Sequence, residues 1–217
     1  MIGQGWLQVA FYFAVLLALA KPLGLYMAAV YEGRATRTQR ILGPLERLTY
    51  RCAGVDPAQE MRWTRSSAAL LWFRLAGTLV VYGLQRIQHW LPLNPQSLGA
   101  VSADSSFNTA ISFATNTNWQ GYAGESTMSY LTQMLALAVQ NFVSAAVGMA
   151  VLVALIRGFT RRQSATVGNF WTDLVRSTLY ILLPLSVALA LVLASQGVVQ
   201  SFDKAATATL VQPLTYD

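Results

Sequence analysis

Charged residues are scarce in this sequence. Asp, Glu, Lys and Arg together make up 11% of its 217 residues, whereas hydrophobic residues make up 54%. An ordinary soluble domain carries about 25% charged residues. Because disorder requires high charge and low hydrophobicity, the composition excludes an intrinsically disordered chain. It also excludes an ordinary soluble domain, since too few charged side chains are present to cover a water-exposed surface.

Cysteine, histidine and lysine are nearly absent as well. Cys52 is the only cysteine, which excludes a disulfide scaffold. His89 is the only histidine, so we expect no metal site other than one for a transported ion. The only lysines are Lys21 and Lys204, which rules out a glycine-lysine phosphate loop. We therefore expect no ATP site in this chain.

Long apolar runs, by contrast, are abundant. Four of them cover approximately residues 5–30, 66–87, 128–156 and 174–194. Each is near or above the roughly 20 residues that a helix needs to cross a bilayer. The first run lacks a basic leading region and is too long for a signal peptide. The sequence therefore predicts an all-α membrane protein with four transmembrane helices, the first of them retained.

Basic residues are distributed unevenly between the connections. Eleven of the fifteen lie in residues 31–65 and 157–176, and none lies in residues 88–127. Because basic connections stay on the cytoplasmic side, residues 31–65 and 157–173 are expected inside. Both termini and residues 88–127 are then expected outside. The net charge of +6 thus reflects topology, and we expect a lipid bilayer rather than a nucleic acid as partner.

The outer connection contains a short helix followed by a polar segment. Asp104 is a suitable N-cap, and apolar residues repeat at helical spacing up to Ala114. About ten helical residues span about 15 Å, half of the hydrocarbon core. Residues 115–124 are polar, uncharged and punctuated by glycine. This pattern is compatible with a re-entrant pore loop and equally with an exposed loop behind a surface helix.

A pore loop would give this segment a specific chemistry. Non-helical backbone is tolerated at membrane depth only where it is buried in protein or lines a cavity. In such a cavity its carbonyl oxygens can replace the water around a cation such as potassium. Asp104 and Glu125 are the only charged residues of the outer connection, and their negative charge favours the approach of cations.

Polar residues within the spans also allow two interpretations. Arg74 is either a fixed positive charge near an ion pathway or a side chain that reaches the interface or binds helix ends. Gln140, Asn141 and Ser144 lie near one face of the third span together with Gln133 and Gly148. They either line a pathway or hydrogen-bond neighbouring helices.

Several short segments of the chain are distinctive. The most specific is TNTNWQ at residues 115–120, accompanied by LPLNPQ at 91–96 and FNTAISF at 107–113. Further segments are AKPLG at 20–24, GE at 124–125, VQNF at 139–142 and ALIR at 154–157. Together these segments, which are spread over nearly the whole chain, resemble the KdpA family, the potassium-binding subunits of Kdp-type potassium pumps.

The resemblance implies a fold and a site. Members of this family have four helix–pore loop–helix repeats around one pathway, and each repeat contributes one filter strand. The implied potassium-binding residues, acting mainly through backbone carbonyls, are Thr115, Asn116, Thr117 and Asn118. The implied filter support is Trp119, Gln120 and Gly121, with Gly121 permitting the chain to reverse. The possible pathway lining is Gln140, Asn141 and Ser144.

The division of the chain follows from the same resemblance. Residues 1–65 form a leading transmembrane helix and a basic cytoplasmic loop, and residues 66–158 form the first repeat. Residues 159–217 contain a cytoplasmic loop, a fourth helix and an outer tail. One strand is a quarter of a coordination ring, so we expect an N-terminal portion that lacks the remaining repeats. Four separate single-repeat chains fit less well, because the leading and trailing helices interrupt the repeat.

The resemblance also implies a location and partners. It predicts a multi-pass protein of the bacterial inner membrane that binds potassium from outside. The expected partners are a P-type ATPase catalytic subunit and two small membrane subunits. The aspartate–Lys-Thr-Gly phosphorylation sequence is absent here, so ATP hydrolysis is expected on a partner chain. The alternative is a non-transporting remnant or assembly subunit that only packs against partner helices.

Overall fold

The computed structural model describes residues 2–34, 37–161, 164–199 and 201–204. In these ranges the chain is helical and has no strand, apart from one isolated antiparallel bridge between Arg62 and Thr166. Four helical stretches are long and apolar enough to cross a membrane: Gly5–Tyr31, Trp63–Trp90, Thr132–Thr160 and Phe170–Ser195. The four long apolar helices that the sequence predicts are therefore present, with most ends displaced by a few residues. Residues 205–217 of the predicted outer tail lie outside the described residues.

The helices are labelled in chain order. They are α1 (Ile2–Tyr31), α2 (Arg37–Ala53), α3 (Trp63–Ile87), α4 (Ala103–Ala114), α5 (Gly124–Thr127), α6 (Val139–Thr160), α7 (Phe170–Arg176) and α8 (Leu183–Ser195). A single 3₁₀ turn, Gln88–Trp90, extends α3. Two π-helical segments, Thr132–Ala138 before α6 and Ser177–Leu182 between α7 and α8, complete the third and fourth long stretches.

The chain forms two compact units. The first comprises Met1–Leu70 and Ala145–Ala190, and the second comprises Leu71–Ser144 and Leu191–Asp217. Helices α3, α6 and α8 contribute residues to both units. The candidate filter residues 115–118 and the polar residues Gln140, Asn141 and Ser144 all belong to the second unit.

The first unit is built around the fourth long stretch. Val30 of α1 is buried together with Leu179, Tyr180 and Ile181 of the second π-helical segment. The guanidinium of Arg157 donates to both carboxylate oxygens of Asp173, 2.9 Å from Nη2 to Oδ1 for the longer bond. A charged pair so deeply buried must be well hydrogen-bonded to be tolerated, and this bidentate geometry meets that condition.

One element of the first unit differs from the prediction. The basic connection, expected as a loop, contains the 17-residue helix α2. Its Glu46 carboxylate accepts hydrogen bonds from Tyr50 (2.8 Å) and from Tyr180 (2.5 Å). Burial and the neighbouring Glu46 raise the pKa of Tyr50 above its usual value. Helix α2 is therefore docked on the unit by one face.

The second unit places α4 against α3 and the start of the third long stretch. Its buried apolar residues come from three regions and include Val81, Ala110, Phe113, Ala136 and Leu137. The side-chain amide of Gln85 donates to the carbonyl oxygen of Ser106 in α4 at 3.2 Å. These contacts fix the position of the carboxyl end of α4, where the candidate filter residues begin.

The N-terminus of α4 differs in detail from the prediction. Ser102, not Asp104, is the N-cap, and its hydroxyl accepts from the Ser105 amide at 3.4 Å. Asp104 lies in the first turn instead, where a carboxylate interacts favourably with the helix dipole. The helix therefore begins two residues earlier than the sequence pattern suggested.

Candidate functional site

Residues 115–119, here called the polar turn, fold back on the carboxyl end of α4. The amide of Thr115 donates to the Ile111 carbonyl at 2.9 Å, and the amide of Asn116 donates to Phe113 at 3.2 Å. The next two amides, of Thr117 and Asn118, both donate to the Ser112 carbonyl, at 2.9 and 3.3 Å. Four successive N–H groups thus point at α4 and satisfy carbonyls that the end of a helix leaves unpaired.

Two asparagines give the polar turn its unusual backbone. Asn116 has a φ of 61° and Asn118 has a φ of 55°, whereas Thr115 and Thr117 keep negative values. Asparagine is one of the few residues other than glycine that adopts the left-handed conformation readily. The alternation of Thr and Asn in the sequence therefore corresponds to an alternation of backbone conformation.

The carbonyl groups of the polar turn face the other way. A trans peptide group directs its N–H and its C=O in opposite directions, and no cis peptide bond occurs among the described residues. With the amides of Asn116, Thr117 and Asn118 turned towards α4, the carbonyls of Thr115, Asn116 and Thr117 point away from it. Among the described residues, no hydrogen bond ends on these three oxygens. These three oxygens remain available to coordinate a ligand such as a cation.

Side chains of the third long stretch hold the two asparagines. The Asn118 amide donates to Oδ1 of Asn141 at 2.9 Å, and the Ser144 hydroxyl donates to Oδ1 of Asn116 at 3.1 Å. The hydroxyls of Thr115 and Thr117 are 2.9 Å apart and hydrogen-bonded. The structure thus brings six of the sequence-predicted residues together, with no charged group among them.

The residues that follow the polar turn play different parts. The carbonyl of Trp119 accepts a hydrogen bond from the Ser112 hydroxyl at 2.9 Å, which closes the turn. Gln120 is exposed. Gly121, expected to permit the reversal of the chain, has no positive φ. A Cβ at Gly121 would approach the Trp119 indole to 3.1 Å, so its lack of a side chain accommodates the indole. The reversal itself is made by the left-handed asparagines.

Tyr122 anchors the segment after the polar turn. Its ring packs against the buried apolar residues of the second unit. Burial raises the pKa of its phenol above the usual value, and the nearby Gln120 side chain partly opposes this shift. The packed ring thus ties the chain that follows the polar turn to the apolar residues of the second unit.

Gln140 lies apart from this hydrogen-bonded group. It is buried, and a Cβ at Gly77 would come within 2.5 Å of its side-chain oxygen. Gly77 therefore allows α3 to approach the Gln140 side chain closely. Of the three residues predicted to line a pathway, Asn141 and Ser144 contact the polar turn, whereas Gln140 packs against α3.

One cationic side chain reaches the end of α4. The Arg74 guanidinium donates a hydrogen bond to the carbonyl oxygen of Ala114, the last residue of α4. This is the helix-end contact that one of the two interpretations of Arg74 predicted. A positive group at the carboxyl end of a helix counteracts the negative end of its dipole. The position of Arg74 thus limits the negative potential that α4 itself directs at the polar turn.

Sequence reasoning missed two glutamines that support the site. Gln85 and Gln88 are both fully buried. The Gln88 amide donates to the carbonyls of Gly99 (2.6 Å) and Thr127 (2.8 Å), and its side-chain oxygen accepts from the Ser129 amide at 3.0 Å. Their spacing of three at the end of an apolar helix was the available signal, because it places both amides on one face.

Comparisons with known proteins agree with this architecture. A family model described as KdpA, potassium-transporting ATPase A subunit, matches residues 10–216. A relative from Methylococcus capsulatus named potassium-transporting ATPase potassium-binding subunit is 65% identical over the whole chain and 36% of its own length. Relatives of the same name from Sorangium cellulosum and Herpetosiphon aurantiacus are 64% and 60% identical, over 98% and 99% of this chain and 37% of their own lengths.

The match extends along nearly the whole chain, yet the chain spans only about a third of the length of these relatives. Because the family model covers both compact units, it includes the polar turn and the helices that hold it. The four apolar stretches also suit a multi-pass membrane protein. The chain belongs to the KdpA family of potassium-transporting ATPase A subunits.

Proposed function

We propose that the chain provides one pore loop, with one filter strand, of a potassium-binding subunit in an ATP-driven uptake pump. Three free carbonyls in the polar turn carry this proposal. Those of Thr115, Asn116 and Thr117 accept no hydrogen bond among the described residues, while the amides that follow them are bound to α4. Potassium is coordinated in filters by such rows of carbonyl oxygens.

In this proposal α4 is a re-entrant half-helix. Its 12 residues span about 18 Å, too short for a hydrocarbon core of about 30 Å. Thr115, Asn116, Thr117 and Asn118 bind potassium from the outer side, mainly through backbone oxygens. Trp119, Gln120 and Gly121 support them, and Asn141 and Ser144 hold the asparagine side chains from behind. Gln140 contributes more to helix packing than to the ion path.

A single strand does not complete a coordination shell. We propose that equivalent strands from outside these 217 residues complete the site, with residues 66–158 as one of the repeats. Residues 1–65 then supply the leading helix and basic cytoplasmic connection, and residues 159–217 supply the next connection, the fourth helix and the outer tail. The relatives are named as subunits of a potassium-transporting ATPase, which supports partnership with a P-type catalytic subunit. Two small membrane subunits complete the proposed complex.

The proposed location is the bacterial inner membrane, with both termini outside. The basic connections at residues 31–65 and 157–173 support this orientation, because arginine-rich connections remain in the cytoplasm. The polar turn then faces the side from which potassium is taken up.

The proposal is tested in a complete pump. The chain replaces the matching segment of the Methylococcus capsulatus relative, and transport is measured as potassium uptake against increasing sodium. We expect Thr117→Asp to reduce discrimination between potassium and sodium by about tenfold or more, a change of about 1.4 kcal/mol. The reason is that a carboxylate replaces neutral oxygen dipoles as the dominant ligand.

The matched control is Ser126→Asp, which adds the same charge to an exposed position of the same connection. We expect it to leave discrimination unchanged. If Thr117→Asp also leaves discrimination unchanged while the pump assembles and transports, the filter assignment is wrong. A chain that supports assembly of the pump but no uptake, even without substitutions, would favour the assembly-subunit alternative.

A further inference from the structure

Helix α2 has three distinct faces, and only one of them is docked on the first unit. On the docked face, Thr38 hydrogen-bonds Tyr26 of α1 at 2.7 Å, and Glu46 hydrogen-bonds Tyr180. Glu46 also accepts from Nε of Arg176 at 3.4 Å. The only acidic residue of α2 is thus used to hold the helix in place.

The second face is apolar and exposed. Ile41, Leu45 and Leu48 are 74%, 43% and 56% exposed, and the exposed Cys52 continues their line. Their spacing of four, three and four residues places them in one stripe along the helix. We call these four residues the apolar stripe.

The third face is basic. Arg40, Arg47 and Arg51, called the basic stripe, are exposed and lie at the same helical spacing. None of them belongs to an ion pair among the described residues. At 100° per residue the two stripes lie about 110° apart around the helix. They run side by side for about 16 Å, the length of eleven residues.

The attachment point of α2 lies near one end of α1. Helix α1 has 30 residues and a length of about 45 Å, which exceeds the hydrocarbon core by about 15 Å. Tyr26, which binds α2, is five residues from the end of α1, or about 7.5 Å along its axis. With the hydrocarbon core centred on α1, Tyr26 lies at the boundary between the core and the lipid headgroups.

We propose that α2 lies along the membrane surface and binds anionic phospholipids. The apolar stripe enters the boundary between headgroups and acyl chains, and the arginines of the basic stripe bind lipid phosphates. Helices of this kind combine an apolar face with a face rich in Lys or Arg. Guanidinium groups suit phosphate because they donate two parallel hydrogen bonds. A bilayer supplies an apolar layer and a phosphate layer along the whole helix, whereas a protein partner would need an apolar ridge beside an acidic one.

The only cysteine of the chain makes a direct test possible. The unsubstituted 217-residue chain is labelled at Cys52 with a fluorophore and reconstituted into vesicles of phosphatidylcholine with 30% phosphatidylglycerol. Quenchers are attached to the headgroup region of either lipid at equal mole fraction, and iodide serves as the aqueous quencher. We expect strong quenching by lipid-attached quenchers and little by iodide. Quenching from phosphatidylglycerol should exceed that from phosphatidylcholine by about twofold or more, since each nearby arginine favours anionic lipid.

Three sets of substitutions separate charge from fold. Replacing all three arginines of the basic stripe by Gln should abolish the preference for phosphatidylglycerol, and replacing them by Lys should retain most of it. The matched control replaces Arg34, Arg62 and Arg65 by Gln, which removes as many charges from the same connection and should retain the preference. Far-UV circular dichroism checks that each variant keeps its helix content.

The result that overturns the proposal needs no substitution. If iodide quenches the Cys52 label and the lipid-attached quenchers do not, α2 is exposed to water in the membrane-inserted chain. Its free faces are then left for a protein partner. Equal quenching from both lipids contradicts the anionic-lipid part of the proposal. Because potassium is absent from all arms, these outcomes are independent of the proposed filter.

Discussion

The two compact units use different chemistry to hold their polar groups. All ion pairs among the described residues lie in the first unit and include Arg157–Asp173, Arg161–Glu60 and Arg176–Glu46. The polar turn of the second unit is held instead by neutral amides and hydroxyls of Asn116, Asn118, Asn141 and Ser144. The ion pairs of the first unit compensate buried charge. The neutral hydrogen bonds of the second unit leave carbonyl oxygens of the polar turn without hydrogen-bond partners among the described residues.

This difference follows from what each region has to accommodate. A buried arginine requires a carboxylate with good geometry, since an unpaired charge in the interior is costly. A site for a cation has the opposite requirement, because a full charge beside it would either repel the ion or bind it too firmly to release it. Neutral hydrogen bonds fix the backbone without adding charge. Arg74 is an exception to this use of neutral groups, because it is a charged side chain that donates a hydrogen bond within the second unit. It contacts the Ala114 carbonyl at the end of α4 and not the polar turn.

The largest effect is expected where a buried charge loses its partner. Asp173→Asn leaves Arg157, whose side chain is 16% exposed, without its carboxylate. Breaking a buried pair in this way costs about 3–5 kcal/mol. The control in the second unit is Asn141→Ala, which removes a neutral hydrogen bond and should cost about 1 kcal/mol. Denaturant unfolding of the detergent-solubilised chain measures both, and equal losses would contradict the contrast between the units.

Arg74 is expected to give the next largest effect. Arg74→Met removes the donor to the Ala114 carbonyl and should destabilise the second unit by about 1.5–3 kcal/mol, the range for hydrogen bonds of charged groups. Arg74→Lys keeps the positive charge near the dipole and should recover part of this loss. Amide hydrogen exchange of α4 is the measurement. Unchanged protection in Arg74→Met would mean that this contact does not hold the helix end.

The backbone of the polar turn gives a third comparison. Asn116 is left-handed, and a β-branched residue in that conformation is strained by about 1–3 kcal/mol. Asn116→Val should therefore destabilise the chain clearly more than Thr117→Val, where φ is negative. Asn116→Gly should be better tolerated than Asn116→Val, because glycine adopts this conformation freely. Thermal unfolding ranks the three variants, and equal values for both valine variants would refute the conformational argument.

The smallest effect concerns Arg161–Glu60, one of the exposed ion pairs of the first unit. The Thr166 hydroxyl and the Arg161 guanidinium hold the pKa of Glu60 below its usual value. A lowered pKa in the folded state stabilises the chain above the ordinary glutamate pKa of about 4.3, and this stabilisation disappears as the pH falls through the lowered value. Glu60→Gln should cost less than about 1 kcal/mol at pH 7 and progressively less below pH 4.3. A cost that stays constant down to pH 3 would contradict this prediction.

The sequence predicted the elements that depend on composition over many residues. All four long apolar helices are present, because runs of about 20 apolar residues leave a chain few alternatives. Residues 115–118 were selected by their neutral polar composition and by the family resemblance, and the structure brings them together with Asn141 and Ser144.

Features that depend on partners distant in the sequence were not predictable in this way. The pairing of Arg157 with Asp173 and the buried roles of Gln85 and Gln88 depend on packing that hydropathy does not reveal. Helix α2 was missed because its arginines dominated the connection, although its apolar residues already followed helical spacing. The left-handed asparagines could have been suspected from the Thr-Asn alternation, but the carbonyl direction required the hydrogen bonds.

The central claim is that the carbonyls of Thr115, Asn116 and Thr117 face a bound potassium ion. The most direct measurement is the position of thallium, a heavy substitute for potassium, in a structure of the complete pump that contains this chain. The account predicts anomalous density in direct coordination distance of these three oxygens, and its loss when sodium replaces thallium. Density elsewhere, with these carbonyls bonded to protein groups, would contradict the account.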